Sequence, residues 1–328
     1  MIKIVFNSAL GIILILVWSK FVDLNQIFIT ISKVNTPILA VVFFFMLLSP
    51  IIRAVRFKIF LAEIKKIPLL DLIYLNGVAM CLNFFVPIRA GEIAKGVYLN
   101  TRYKLSLGKS VVWTFMDRFV DFLVVLLLAA ILFFLVPTAL GMTFIIIITI
   151  ILTITLLLTY FAVFQMNFAK KIIIFLSYLL IVNAVKIYFD RFSTFILQAF
   201  SILKRHPKDL LLMAAITVLA YGADAAIWYF TFLALGVNQD LLKMYLSQLL
   251  SALTYLIPAA PGYVGSAEAS GLLILSGVFG IDKNLASAMI VLFHLLSALF
   301  VLGFGLVSIY SLKIDLGLIL RKALRQDS

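Results

Sequence analysis

The run Phe84-Phe85-Val86-Pro87-Ile88-Arg89-Ala90-Gly91-Glu92-Ile93-Ala94-Lys95 decides how this chain is read. It breaks an apolar stretch with a proline, then a glycine and a glutamate. The other half carries a second break, Leu256-Ile257-Pro258-Ala259-Ala260-Pro261-Gly262-Tyr263-Val264-Gly265-Ser266-Ala267-Glu268-Ala269. Glutamate is rare in the chain, occurring at Glu63, Glu92 and Glu268, and two of the three sit in these breaks. Proline removes a backbone donor, and glycine permits conformations that other residues avoid. Unwound backbone at membrane depth is tolerated only where protein or water satisfies its polar groups. Each break therefore implies a polar cavity. Broken hydrophobic segments at matching positions of two halves point to a transporter's binding site.

The surrounding composition places these breaks in a membrane. The 328 residues are 65% hydrophobic and 12% charged. Apolar runs approach or reach the ~17–25 residues needed to cross hydrocarbon, as at 38–52, 122–136 and 143–164. The expected fold class is an all-α polytopic membrane protein with six full spans and two re-entrant helical hairpins. The spans are expected at 4–22, 37–55, 110–136, 142–165, 208–235 and 283–311. Two further stretches, 70–86 and 242–257, end at the motif prolines and resume as short helices over 90–100 and 265–279. The first span follows Lys3 without a small-x-small cleavage site, which predicts an uncleaved anchor.

The net charge of +13 invites a nucleic-acid reading, but its distribution argues against one. The basic residues fall in the loops between spans, as the positive-inside rule requires, and no nucleic-acid partner is expected. Arg53, Arg56, Lys58, Lys65 and Lys66 precede the first broken stretch, and Arg102, Lys104 and Lys109 follow it. Both flanks read as cytoplasmic, so the pair enters and leaves on one side. The flanks of the second, 236–242 and 280–284, carry few basic residues and read as external. An apolar segment at 172–189 with basic residues on both sides reads as a helix along the cytoplasmic interface. Both termini then lie in the cytoplasm. Residues 37–136 and 208–311 form two halves in which Pro87 and Pro258 stand equally far from the start. The expectation is an inverted-topology repeat. A connecting span and interfacial helix at 142–207 and a basic tail at 312–328 complete a single membrane domain, 1–328.

Several ionisable residues follow as candidate substrate contacts. A helix starting near Ala90 presents free N–H groups and a positive dipole end to a phosphate or carboxylate. Arg89 and Lys95 add charge there, with Glu92 holding one of them or binding an ammonium group. Glu268 has no basic neighbour in sequence. It is either at the outer surface, protonated, or paired across the fold, with Arg118 among the candidate partners. Asp117 and Asp121 lie one helical turn apart and, with Arg118, open a span. They either face the protein interior or anchor the helix at headgroup level. Asp224 and His294 are single ionisable residues within spans. Asp224 is a functional candidate or an interhelical hydrogen-bonding residue, and His294 reads as structural. Arg53 and Arg56 share a helix face at the cytoplasmic interface, where they bind headgroups or anchor the span. Pro87, Gly91, Pro258, Pro261, Gly262 and Gly265 are the structural breaks.

Signatures of other chemistries are missing. A lone Cys81 excludes an intramolecular disulfide framework. His206 and His294 lie far apart, and the sequence has no His-Glu-x-x-His, no Gly-x-Ser-x-Gly and no phosphate-binding glycine-lysine loop. Neither a metal nor a cofactor is expected.

Four ordered motifs resemble the lysylphosphatidylglycerol synthase transmembrane-region family, also called flippase-like membrane proteins. They are Arg53-Ala-Val-Arg56, then Pro87-Ile-Arg-Ala-Gly91-Glu92-Ile-Ala-Lys95, then Asp117-Arg118-Phe-Val-Asp121, and last Pro258-Ala-Ala-Pro261-Gly262-Tyr-Val-Gly265-Ser-Ala-Glu268. Asp117 stands where relatives usually carry glutamate, which shortens that side chain. The resemblance implies a prokaryotic integral protein of the cytoplasmic membrane that handles lipids. In bifunctional relatives this region precedes a soluble aminoacyltransferase domain and moves the aminoacylated phospholipid across the bilayer. These 328 residues are not expected to include that domain, so synthase activity is not carried over.

The reading that follows is a lipid translocase for a phospholipid, an aminoacylated lipid or a polyisoprenoid-linked lipid. An anionic headgroup is expected to pass between the two hairpins. Its rivals are an intramembrane enzyme using Glu92 or Asp121 as base, and an accessory subunit of a lipid or envelope pathway. A second copy of the chain and a lipid-biosynthesis enzyme are the candidate protein partners.

Overall fold

A computed structural model describes residues 2–62, 64–86, 90–139, 141–178, 207–254 and 260–314, with isolated positions between 186 and 197. Among these, every regular element is helical. Pro87, Arg89 and Pro258 lie outside the described residues, as do the expected tail from 315 onward and most of 179–206.

The chain opens with α1 (Ile2–Ser19) and α2 (Leu24–Ser32), which meet at 89°. Helix α1 covers most of the span expected over 4–22, and α2 follows it at an angle that the sequence reading did not include. Asp23 starts a new helix there, its carboxylate accepting from the N–H groups of Asn25 at 2.9 Å and Gln26 at 3.2 Å. An aspartate in that position satisfies donors that a helix start leaves open. Four helices among the described residues are long and apolar enough to cross a bilayer, and a fifth counts if the bent pair is taken as one span. They are α3 (Thr36–Leu61), most of α6 (Leu107–Leu135), most of α9 (Pro207–Ala234) and α12 (Lys283–Leu312). The expected segment 142–165 is helical as α7 (Met142–Phe164), and the expected interfacial segment begins within α8 (Met166–Tyr178).

Helix α3 runs six residues past the expected end at 55. The extension is held by burial: Phe57, Phe60 and Leu61 pack with Trp113, Met116 and Met213 in a core at one end of the molecule. The Phe60 and Trp113 rings meet edge-on at 4.7 Å. A larger core, with Val42, Met46, Val125, Trp228, Phe232 and Leu292, joins α3, α6, α9 and α12.

The two broken stretches form shorter helices. In the first, α4 (Leu69–Phe85) and α5 (Ala90–Tyr103) pack on one another as a hairpin. Gly91 makes this approach feasible, because a Cβ there would overlap the backbone of Ala79 on α4. Asn83 on α4 accepts from the Gly91 N–H at 2.8 Å, satisfying one open donor of the α5 start. In the second, α10 (Leu241–Thr254) is followed by a turn at Pro261–Tyr263 and by α11 (Ser266–Leu272), which continues as a π-helical turn, Leu273–Val278. Gly262 and Gly265 take φ of 69° and 78° in this segment, the left-handed region that glycine enters without strain. The hairpin helix α4 packs on α12 of the other half, and α10 packs on α6 of the first.

Candidate functional site

A cavity of about 700 Å³ lies between the two breaks. Glu92 and Lys95 of α5 line it from the first break, and Ala260, Tyr263 and Ala267 line it from the second. Arg53 of α3, Arg118 and Asp121 of α6, and Tyr221 and Asp224 of α9 complete its charged wall. Asn76, Asn83, Gln248 and Ser297 add neutral polar groups. Met80, Phe84, Phe122, Val125, Phe293 and Phe300 supply apolar surface. The enclosure is amphiphilic.

Helical spacing sets the charged wall. Arg53 and Arg56 lie three apart on α3, yet their fates differ. Arg53 faces the cavity and grips Asp224 across the helix interface, Nη2 to Oδ2 at 2.7 Å. Ser49, one turn earlier, donates to Asp224 Oδ1 at 2.6 Å and is itself contacted by the guanidinium. The Arg53 guanidinium also sits 5.1 Å over the ring of Tyr221, a cation–π arrangement. The mid-span Asp224 thus has a partner that its sequence neighbours do not reveal.

Arg56 is 1% exposed and does not line the cavity. Its Nε donates to Asp117 Oδ1 at 3.0 Å, and its Nη1 donates to Thr217 at 2.7 Å and contacts Asp121. The structure therefore places Arg56 at an internal junction of α3, α6 and α9, apart from the cavity that Arg53 faces. Asp117 is buried with it and also stays off the cavity surface. A buried cation needs such a set of acceptors, because removing it from water costs several kcal/mol.

Arg118 completes the cluster from the cavity side. Its Nη2 donates to Asp117 Oδ2 at 2.9 Å, and its Nη1 is 3.0 Å from Asp121 Oδ2. Glu92 Oε1 is 4.0 Å from Arg118 Nε, and Glu92 Oε2 is 3.6 Å from the ammonium of Lys95. Both separations exceed hydrogen-bonding length. Glu92 Oε2 and Arg118 Nε are buried without a hydrogen-bond partner.

The far end of the cavity is organised by His294. Its Nδ1 meets Glu268 Oε1 at 2.6 Å and its Nε2 meets the Gly262 carbonyl at 2.6 Å. The other Glu268 oxygen accepts from the Gly265 N–H at 2.7 Å. Glu268 is therefore paired across the fold, with His294 rather than Arg118, and it braces the second glycine-rich segment.

Sequence reasoning passed over the neutral lining. Asn76 and Asn83 lie seven residues apart on α4, two helical turns along one face, and that spacing was the available signal. Tyr221, one turn before Asp224, carried a similar one.

No curated protein and no solved structure shows significant similarity to the chain. One family model does match, that of the lysylphosphatidylglycerol synthase TM region, and it extends over residues 4–305. That match takes in α1 through most of α12 and every charged group of the cavity wall. With multiple helices fit to cross a bilayer, this multi-pass membrane protein belongs to the lysylphosphatidylglycerol synthase TM region family.

Proposed function

We propose that the protein is a lipid translocase, in which a headgroup moves through the cavity while its acyl tails stay in the bilayer. The observation that carries this reading is the cavity joining the two proline-glycine breaks, charged at the α5 end and bounded by His294 and Tyr263 at the other. In the proposed arrangement the α4–α5 hairpin and the α10–α11 pair are re-entrant from opposite faces. Residues 37–136 and 208–311 then form an inverted-topology repeat within a single membrane domain. The crossed packing of α4 on α12 and α10 on α6 supports that symmetry. The basic loops support cytoplasmic termini in a prokaryotic cytoplasmic membrane.

Lys95 and Arg118 would hold the headgroup phosphate, and Arg53 with Asp224 would line its path. The substrate would be a phospholipid, an aminoacylated lipid or a polyisoprenoid-linked lipid, in keeping with the family's name. No group transfer is proposed. Movement would be passive or ion-coupled.

The test is reconstitution of the full chain in liposomes carrying headgroup-labelled lipids, followed by quenching from outside. The expected result is loss of the protected inner-leaflet signal faster than in protein-free liposomes. Rates no faster than in protein-free liposomes for phospholipid, aminoacylated and polyisoprenoid substrates alike would sink the reading.

A further inference from the structure

The described charges of the cavity wall cancel. Among the described residues of that wall, the cations Arg53, Lys95 and Arg118 are matched by Asp121, Asp224 and Glu92, and behind it Arg56 is matched by Asp117. Arg53 and Arg56 have hydrogen-bonded carboxylates of their own. The loose members are Lys95, Glu92 and the Nε edge of Arg118. Lys95 is 3% exposed and lines the cavity, with its nearest carboxylate oxygen 3.6 Å away. Glu92 Oε2, Asp121 Oδ2 and Arg118 Nε are buried and lack hydrogen-bond partners, although Asp121 Oδ2 has the Arg118 guanidinium 3.0 Å away. Buried polar groups left in this state are costly unless something completes them.

What completes them must supply an acceptor and a donor together. A headgroup with a net negative charge would satisfy Lys95 and Arg118, yet it would leave Glu92 Oε2 open and bring a net charge among described groups whose charges cancel. A net cation would do the reverse. We propose that the site recognises a zwitterionic headgroup of net charge zero, one phosphate beside one primary ammonium, as in phosphoethanolamine lipids. The phosphate sits on Lys95 and Arg118 Nε, and the ammonium donates to Glu92 Oε2. Glu92 lies within 4.0 Å of both cations, so the two ligand charges must be close neighbours, as they are across an ethanolamine arm. A quaternary ammonium has no N–H to give Glu92, and a glycerol headgroup has no cation. Both are weaker ligands.

This rests on the translocase reading of the same cavity, so the test measures binding apart from movement. Purified full-length protein in detergent is titrated with short-chain phosphatidylethanolamine, phosphatidylglycerol and phosphatidylcholine, and with soluble glycerophosphoethanolamine. Phosphatidylethanolamine is expected to bind about tenfold tighter than either other lipid, the worth of one charge-assisted hydrogen bond. Glu92→Gln should weaken it and strengthen phosphatidylglycerol, removing the preference, whereas Glu92→Asp, which keeps the charge, should retain part of it. Phosphatidylglycerol binding as tightly as phosphatidylethanolamine, a preference that survives Glu92→Gln, or no binding of any ligand overturns the inference. Selective binding without accelerated movement in liposomes leaves the inference standing and refutes transport. Glycerophosphoethanolamine binding as tightly as the lipid keeps the zwitterionic chemistry but assigns it to a soluble ligand.

Discussion

His294 and Glu268 are joined at 2.6 Å, and the same imidazole reaches the Gly262 carbonyl at 2.6 Å through its other nitrogen. A carbonyl can only accept, so Nε2 carries a hydrogen. One ring on α12 thereby ties both the turn at Pro261–Tyr263 and the start of α11 to a long apolar helix.

His294→Ala is expected to free that tie, leaving Glu268 and the Gly262 carbonyl without their partner. The cost is about 1–3 kcal/mol for a buried group left unsatisfied. Thermal unfolding of the detergent-solubilised protein, followed by the loss of its monodisperse chromatographic peak, should shift down by several degrees. An unchanged transition would mean that the two contacts are dispensable.

Arg56→Ala should be more severe. It strands Asp117 and Asp121 at the junction of three helices, and breaking a buried ion pair from one side costs about 3–5 kcal/mol. Arg56→Lys should also lose stability, since a single ammonium cannot reach Asp117, Asp121 and Thr217 with the reach of a planar fork. Wild-type yield and melting for the lysine variant would refute the three-way role.

Two glycines should respond in opposite ways to the same change. Gly91→Ala forces a Cβ into the Ala79 backbone and should cost about 1–3 kcal/mol by overpacking. Gly303, within α12, has nothing within 4 Å of such a Cβ, and alanine there should be neutral or stabilising by about 0.5–1 kcal/mol. Melting curves of the two variants side by side decide it; equal responses would contradict the close α4–α5 approach.

Topology is open to a labelling experiment. Phe85 and Val264, both exposed, flank the two breaks. Single cysteines there, in a Cys81→Ser background, should react with an impermeant thiol reagent from opposite sides of the membrane. Reaction of both from the same side would exclude the inverted repeat.

The limits of the sequence reading follow from range. Helix α9 begins at Pro207 and α12 ends at Leu312, each within one residue of expectation, because apolar length announces itself locally. The stretches ending at Phe85 and resuming at Ala90 were equally legible, since proline and glycine act on their own backbone. The α1–α2 bend was not legible, because a lone aspartate after an apolar run does not announce that it caps a further helix, as Asp23 does. Proximity of Asp117, Arg118 and Asp121 follows from their spacing within one helix. The Arg53–Asp224 and His294–Glu268 pairs do not, since each joins residues on separate helices. A uniformly apolar helix also gives no clue to which face its lone charge occupies.

The Arg56 junction has a mechanical consequence. Its guanidinium binds α6 through Asp117 and α9 through Thr217 while belonging to α3, so these three helices are pinned as a stator. Helix α5 packs on that body through Tyr98 and Leu99, which share a core with Phe57, Trp113 and Met213, while its charged start meets Arg118 only at 4.0 Å, through Glu92, without a hydrogen bond. The α5 helix is thus anchored by its apolar face and left electrostatically open at its charged start. A headgroup that bridges Glu92 and Arg118 would join the one edge of α5 that packing leaves unfastened.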